Sequence, residues 1–241
     1  MRVDEVDRRD ARQPDERIRW VYERLVEQWG VPPWEPDGDA LGGLIATILS
    51  QHTSDLNSER AYARLREAFP DWADVRDAPV EAVADEIRVG GLARIKAERI
   101  QRVLRALGER GDGTLDLSWL GDLPLDEARA ALQALPGVGP KTAACVLLFS
   151  LGRPAFPVDT HVWRVTRRLG LIGPKVTAEA AHLELEAQIP PEWRHTLHVD
   201  LIQHGRRICH PQNPECERCL LRARCVYYQN MRAQADRQAG D

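Results

Sequence analysis

Two groups of residues in this sequence could do chemistry, and spacing defines each. Lys141 directly follows the turn Leu135-Pro136-Gly137-Val138-Gly139-Pro140, and Asp159 comes eighteen residues later in Val158-Asp159-Thr160-His161. Further on, four of the five cysteines fall within seventeen residues as Cys209-x6-Cys216-x2-Cys219-x5-Cys225. An amine near a carboxylate can attack an electrophilic carbon while the carboxylate manages the proton. Four thiolates in one short segment supply a complete donor set for a metal centre.

The turn before Lys141 has glycines at alternate positions, Gly137 and Gly139, with an apolar residue between them. Glycine permits unusual backbone angles there and lets main-chain N–H groups approach a ligand closely. Such a turn, opening into a helix N-terminus, suits a phosphate. Pro140 fits the first helical turn, where its missing N–H is not needed. Lys141 is out of place by comparison, because a cation in a first turn opposes the helix dipole at a cost of about 0.3–1 kcal/mol. For a nucleophile the place makes sense, since dipole and burial are expected to lower the amine's pKa and favour the neutral, attacking form. Asp159 also suits the N-cap of a helix running to Gly170.

The cysteine segment reads as a metal site, because the chain is large enough for its own core and shows no secretion signal that would favour disulfides. Structural zinc usually pairs two short Cys-x2–4-Cys knuckles, and only Cys216-x2-Cys219 is of that kind. The six- and five-residue gaps fit the wider [4Fe–4S] cluster better than zinc. Cys145 lies among Ala143, Val146 and Leu147 and reads as a core residue.

The elements that must position these residues are helices. Apolar residues recur at i, i+3, i+4 and i+7 in Ile18, Val21, Tyr22, Leu25, Val26 and Trp29, after Asp15 and before Gly30. Similar patterns cover 40–51, 55–69, 79–89, 92–109, 125–135, 141–151, 160–169, 178–189 and 192–204, and no stretch alternates as a strand would. The fold class is all-α.

Composition sets the limits. The chain has 241 residues, 43% hydrophobic and 29% charged, as an ordinary globular protein does. Its longest apolar run, Ala143 to Phe149, is far below the ~20 residues of a membrane span. Net charge is −4, yet Gly137–Lys175 contains Lys141, Arg153, Arg164, Arg167, Arg168 and Lys175 against Asp159 alone. Five arginines likewise face Glu215 and Glu217 between His204 and Cys225, so a basic stripe able to bind phosphates is expected behind the acidic average. Of the 33 basic residues only Lys96, Lys141 and Lys175 are lysines.

Five motifs in order resemble the endonuclease III family of helix-hairpin-helix, iron–sulfur DNA glycosylases. They are Leu49-Ser50-Gln51-His52-Thr53-Ser54-Asp55, Gly91-Leu92-x3-Lys96-Ala97, Leu135 to Ala143, Val158 to His161, and His204-Gly205-Arg206 leading into the cysteines. The resemblance spans about residues 16–228. It implies a six-helix barrel lobe over 36–153 and a cluster lobe from 16–35 with 154–229, flanked by a disordered tail at 1–15 and a frayed one at 230–241. It implies a [4Fe–4S] cluster on Cys209, Cys216, Cys219 and Cys225, and duplex DNA with damaged bases or abasic sites as partner. The protein would be a monomer in the bacterial cytoplasm, at the nucleoid.

By the same resemblance Lys141 attacks C1′ of a flipped-out damaged nucleotide, typically an oxidised pyrimidine. Asp159 assists, and β-elimination cuts the strand 3′ to the abasic sugar. Gln51, His52, Gly137, Val138, Gly139 and His161 fall at DNA-contacting positions. His52 stands where better-known members have a gap-filling glutamine, and could alternatively cap the next helix. Pro140 replaces a frequently basic residue, which removes one phosphate contact. The adenine-mismatch branch shares hairpin, aspartate and cluster but generally lacks the lysine and has an extra C-terminal domain. A non-catalytic DNA-binding module is the competing class, and the retention of both Lys141 and Asp159 opposes it.

Overall fold

The computed structural model describes residues 15–110 and 113–239. Of the tail expected over 1–15, residues 1–14 lie outside them, while Asp15 caps the first helix by accepting from Arg17 N at 2.7 Å. Twelve α-helices are present among the described residues, joined by short 3-10 turns and loops, with no strand. They divide into two units, one over Pro33–Asp159 and the other joining residues 15–32 with residues 160–239.

The first unit contains α2 (Ala40–Ser50), α3 (Asp55–Ala68), α4 (Trp72–Asp77), α5 (Val80–Glu86), α6 (Ala93–Gly108), α7 (Leu125–Gln133) and α8 (Pro140–Cys145). Its apolar core draws on all of them, from Leu44, Ile45 and Ile48 of α2 to Ile100 and Leu104 of α6 and Ala143 and Ala144 of α8. Helix α8 runs on as a π-helical turn, Val146–Ser150. Helix α2 lies against that turn so closely that a Cβ on Gly43 would stand 1.9 Å from Ser150 Oγ. A side chain at position 43 would have to displace the Ser150 side chain, so glycine suits this close approach.

The boundaries differ from those the sequence suggested. Residues 33–35 and 154–159 were expected beside the cysteines but belong to the first unit. Trp34 Nε1 donates to Leu148 O at 3.1 Å, Gly38 N donates to Ser150 O at 2.9 Å, and Ala155 joins that unit's core.

The second unit contains α1 (Glu16–Trp29), α9 (Thr160–Leu169), α10 (Ala178–Gln188), α11 (Arg194–Arg207) and α12 (Val226–Ala239). Tyr22 of α1 stacks on Trp193 at 4.4 Å, and Arg207 of α11 lies 5.1 Å over the Trp29 ring. Two helices escaped the periodicity. Helix α4 has only six residues. Helix α12 is almost wholly exposed beyond Gln229 and shows no apolar stripe, so the expected frayed end from 230 is helical through Ala239. Its Met, Arg, Ala and Gln residues favour helix without needing a buried face.

Candidate active site and cysteine segment

Gly139 N-caps α8, with Pro140 in the first turn and Lys141 next. Gly137 has φ +77, in the region where only glycine is unstrained. The turn exposes Gly137 and Gly139 and buries Val138, whose side chain joins the core and whose N–H donates to Leu135 O at 3.1 Å. Among the described residues the Gly137 and Gly139 amides have no backbone acceptor. They are the turn's available donors.

Lys141 is half-buried, and four residues on, one helical turn away, stands the buried Cys145, whose sulfur acts on the lysine's charge. The expected fall in the lysine's pKa does not occur. The Cys145 sulfur raises it most, burial pulls the other way, and Asp159 and Asp55 add to the rise. Burial in turn pushes the Cys145 thiol up, opposed by the Lys141 charge. The resting pair at neutral pH is therefore ammonium and thiol, and Lys141 needs a proton acceptor before it can attack. Asp159 lies close enough to act on the Lys141 charge. Cys145, read from sequence as plain core, is thus part of the site. Its i, i+4 spacing from Lys141 was the available signal.

Gln51 and His52 part company. Gln51 is held inward, its Nε2 donating to Thr142 Oγ1 at 3.4 Å and its Oε1 accepting from Arg99 Nη1 at 2.5 Å. His52 is exposed with a left-handed backbone at φ 54. It does not cap the next helix, because Ser54 does so by accepting from Asn57 N at 3.3 Å. Leu92 repeats the arrangement, at φ 49 and half exposed. A non-glycine residue in this region is uncommon and points to function. Lys96 ties both corners, its buried Nζ donating to Leu49 O at 2.7 Å and Gly90 O at 2.8 Å. Desolvation lowers its pKa. With both carbonyls engaged it is structural.

In the second unit His161 packs on α11, where a Cβ on Gly205 would stand 2.8 Å from its Cβ, and its Nδ1 lies 3.1 Å from Arg164 Nη2. The basic stripe read from sequence is largely engaged inside the protein. Arg153 donates to Leu120, Gly121 and Leu123 carbonyls, and Arg164 to Cys209 O at 3.0 Å and Gly205 O at 2.9 Å. Arg168 donates to His210 O at 2.7 Å and Pro211 O at 2.8 Å, and to Cys209 Sγ at 3.2 Å. The cysteine segment's own arginines pair locally, Arg218 with Glu215 and Arg222 with Glu217.

Cys209, Cys216, Cys219 and Cys225 line one recess walled by Val165, Leu169 and Ile208. His204 Nε2 lies 3.5 Å from Cys219 Sγ. Four thiolates on one zinc ion would stand about 3.8 Å apart, given Zn–S bonds of ~2.3 Å. Among the described residues no three Cys, His, Asp or Glu side chains come close enough together to hold one ion. Four cysteine sulfurs, with Arg168 Nη1 donating to Cys209 Sγ at 3.2 Å, have the donor chemistry of an iron–sulfur cluster.

An all-α chain with a glycine hairpin opening onto a lysine, an aspartate beside it and four cysteines on a separate unit defines a narrow class of proteins. Residues 45–191 match the HhH-GPD superfamily base excision DNA repair proteins, and the chain belongs to that superfamily. Endonuclease III of Thermotoga maritima is 39% identical over 185 residues, covering 77% of this chain and 82% of its own. Endonuclease III of Escherichia coli K12 is 36% identical over 184 residues, 76% and 82% of the two chains. An Arabidopsis thaliana protein provisionally named a DNA glycosylase is 40% identical over 169 residues, and this chain spans 57% of its length. Among solved structures, a non-covalent endonuclease III–DNA complex superposes with a TM-score of 0.74 at 30% identity, covering 90% of this chain and 97% of that one. No helix among the described residues is long and apolar enough to cross a membrane.

Proposed function

We propose that this protein is a bifunctional DNA glycosylase and abasic-site lyase that removes oxidised pyrimidines from duplex DNA. One observation carries the reading: a half-buried lysine, with an aspartate close enough to act on its charge, directly follows an exposed glycine turn. The substrate class rests on the resemblance to the endonuclease III family.

In this reading Asp159 accepts a proton from the Lys141 ammonium, and the freed amine attacks C1′ of the damaged nucleotide as the bond from C1′ to the base breaks. Ring opening gives a Schiff base to Lys141. Loss of a proton from C2′ expels the 3′ phosphate, and hydrolysis then restores the lysine. The base must leave the stack for this attack, and His52 and Leu92 are the exposed side chains available to fill the space it vacates. Gly137 and Gly139 offer N–H groups to a strand phosphate without reading sequence. Cys209, Cys216, Cys219 and Cys225 would hold a [4Fe–4S] cluster, which cross-links their segment.

Borohydride trapping tests the assignment on duplexes carrying an oxidised pyrimidine or an abasic site. Wild type is expected to form a reduced covalent adduct, and Lys141→Gln to form at least ~10³-fold less. Undiminished trapping in Lys141→Gln contradicts the catalytic role.

A further inference from the structure

The hairpin turn has no cation of its own, since Leu135 through Pro140 are all uncharged and Lys141, the next residue, is half-buried on α8. The fold brings one from elsewhere in the same unit. Arg99 of α6 runs along the face of Gly137 where another residue would have its side chain. A Cβ there would stand 3.1 Å from Arg99 Nε, 3.2 Å from Cδ and 3.4 Å from Cγ. Gly137 is therefore glycine for two reasons, its positive φ and the room it gives this arginine.

Among the described residues Arg99 has no counter-charge. On the same helix Arg94 pairs with Glu81 at 3.3 Å and Glu98 at 3.1 Å. Arg99 has only the neutral Gln51 amide, and since arginine can only donate, its partner must be the amide oxygen. Among the described residues no carboxylate pairs with Arg99, and its Nε is buried without an acceptor. A half-buried guanidinium that has lost water without gaining an anion is costly until an anion arrives. Phosphate oxygens suit it, because they accept charge-assisted, forked hydrogen bonds.

We propose that Arg99 is a DNA backbone-phosphate ligand at the hairpin, supplying from α6 the charge that Pro140 leaves out of the turn. This rests on the reading of the protein as a DNA-binding enzyme. It assigns Arg99 to holding the strand, with no part in choosing the lesion.

The test is the salt dependence of binding to a duplex with an uncleavable abasic analogue, for wild type, Arg99→Gln, Arg99→Lys and the double variant Arg99→Gln/Pro140→Arg. One lost phosphate contact lowers the slope of log K against log salt by about 0.9. Arg99→Gln is expected to lose that amount, while Arg99→Lys and the double variant keep the wild-type slope. Thermal melting of each variant establishes that it is folded, and a misfolded Arg99→Gln is replaced by Arg99→Met. An unchanged slope in the uncharged variant overturns the proposal even if affinity falls, as that would mark a packing role through Gln51. Equal loss in Arg99→Lys also overturns it. A wild-type slope near zero would instead contradict the DNA-binding reading itself.

Discussion

The lysine corner and the cysteine segment are held in opposite ways. Lys141 stands on a helix whose next residues, Thr142 to Leu148, are buried against α2 and the core of the first unit. Residues 209–225 have two single 3-10 turns and are tied down by Arg164 and Arg168 reaching loop carbonyls. Among the described residues, the second unit's buried polar atoms without partners are Gln28 Oε1, Trp29 Nε1, Asp200 Oδ2 and His204 Nδ1. Burial lowers the His204 pKa to about 4, so that ring stays neutral. The comparison teaches that apolar packing can preorganise a nucleophile from the chain alone, whereas the cysteine segment is held by arginine–carbonyl hydrogen bonds, to which the proposed cluster would add a cross-link.

Removing one of the four cysteines proposed to hold the cluster should show the largest difference. In Cys216→Ser, amide exchange is expected to report an opening free energy lowered by about 3 kcal/mol or more around residues 204–228, while α2 and α8 keep their protection. Equal loss in both units would break the comparison.

Next comes Asp200, buried on α11, whose pKa is raised to about 7 by burial. Its unfolded value is about 3.9, so the folded state holds the extra proton between those values. Stability should therefore fall as pH rises from about 4 to about 7. Asp200→Asn is expected to be more stable than wild type by about 2–4 kcal/mol at pH 8 and indistinguishable at pH 4 in urea unfolding. A gain of equal size at both pH values would show that the charge is not its source.

The smallest effect belongs to Cys145→Val. The Cys145 sulfur is the largest cause of the raised Lys141 pKa, and a valine leaves the opposing burial in place. The neutral amine should then form at lower pH, moving the rising limb of the single-turnover pH–rate profile down. A profile that stays in place would show that Asp159 and Asp55 alone set the lysine's charge.

Much of this site could be read from local pattern. Alternate glycines, the adjoining lysine and the cysteine spacing are short-range features, and each marks a backbone or ligand requirement within a few residues. What escaped was long-range or patternless. Arg99 reaches Gly137 from another helix, and Lys96 reaches Leu49 O across 47 residues, so neither contact leaves a local periodicity. The engagement of Arg153, Arg164 and Arg168 with carbonyls was equally invisible, because a charge count cannot tell a free guanidinium from a bonded one. The expected fall in the Lys141 pKa failed because dipole and burial were weighed without Cys145, one turn along the same face.

The central claim is that Lys141 bonds to the sugar, and the scarcity of lysine makes a direct measurement possible. Only Lys96 and Lys175 could compete among lysines, and Lys96 is buried with both carbonyls bound. Peptide mapping by mass spectrometry of the borohydride-reduced protein–DNA adduct, after nuclease digestion, is expected to place the sugar remnant on Lys141. A remnant on Lys96, Lys175 or the N-terminal amine, with Lys141 unmodified, would contradict the account.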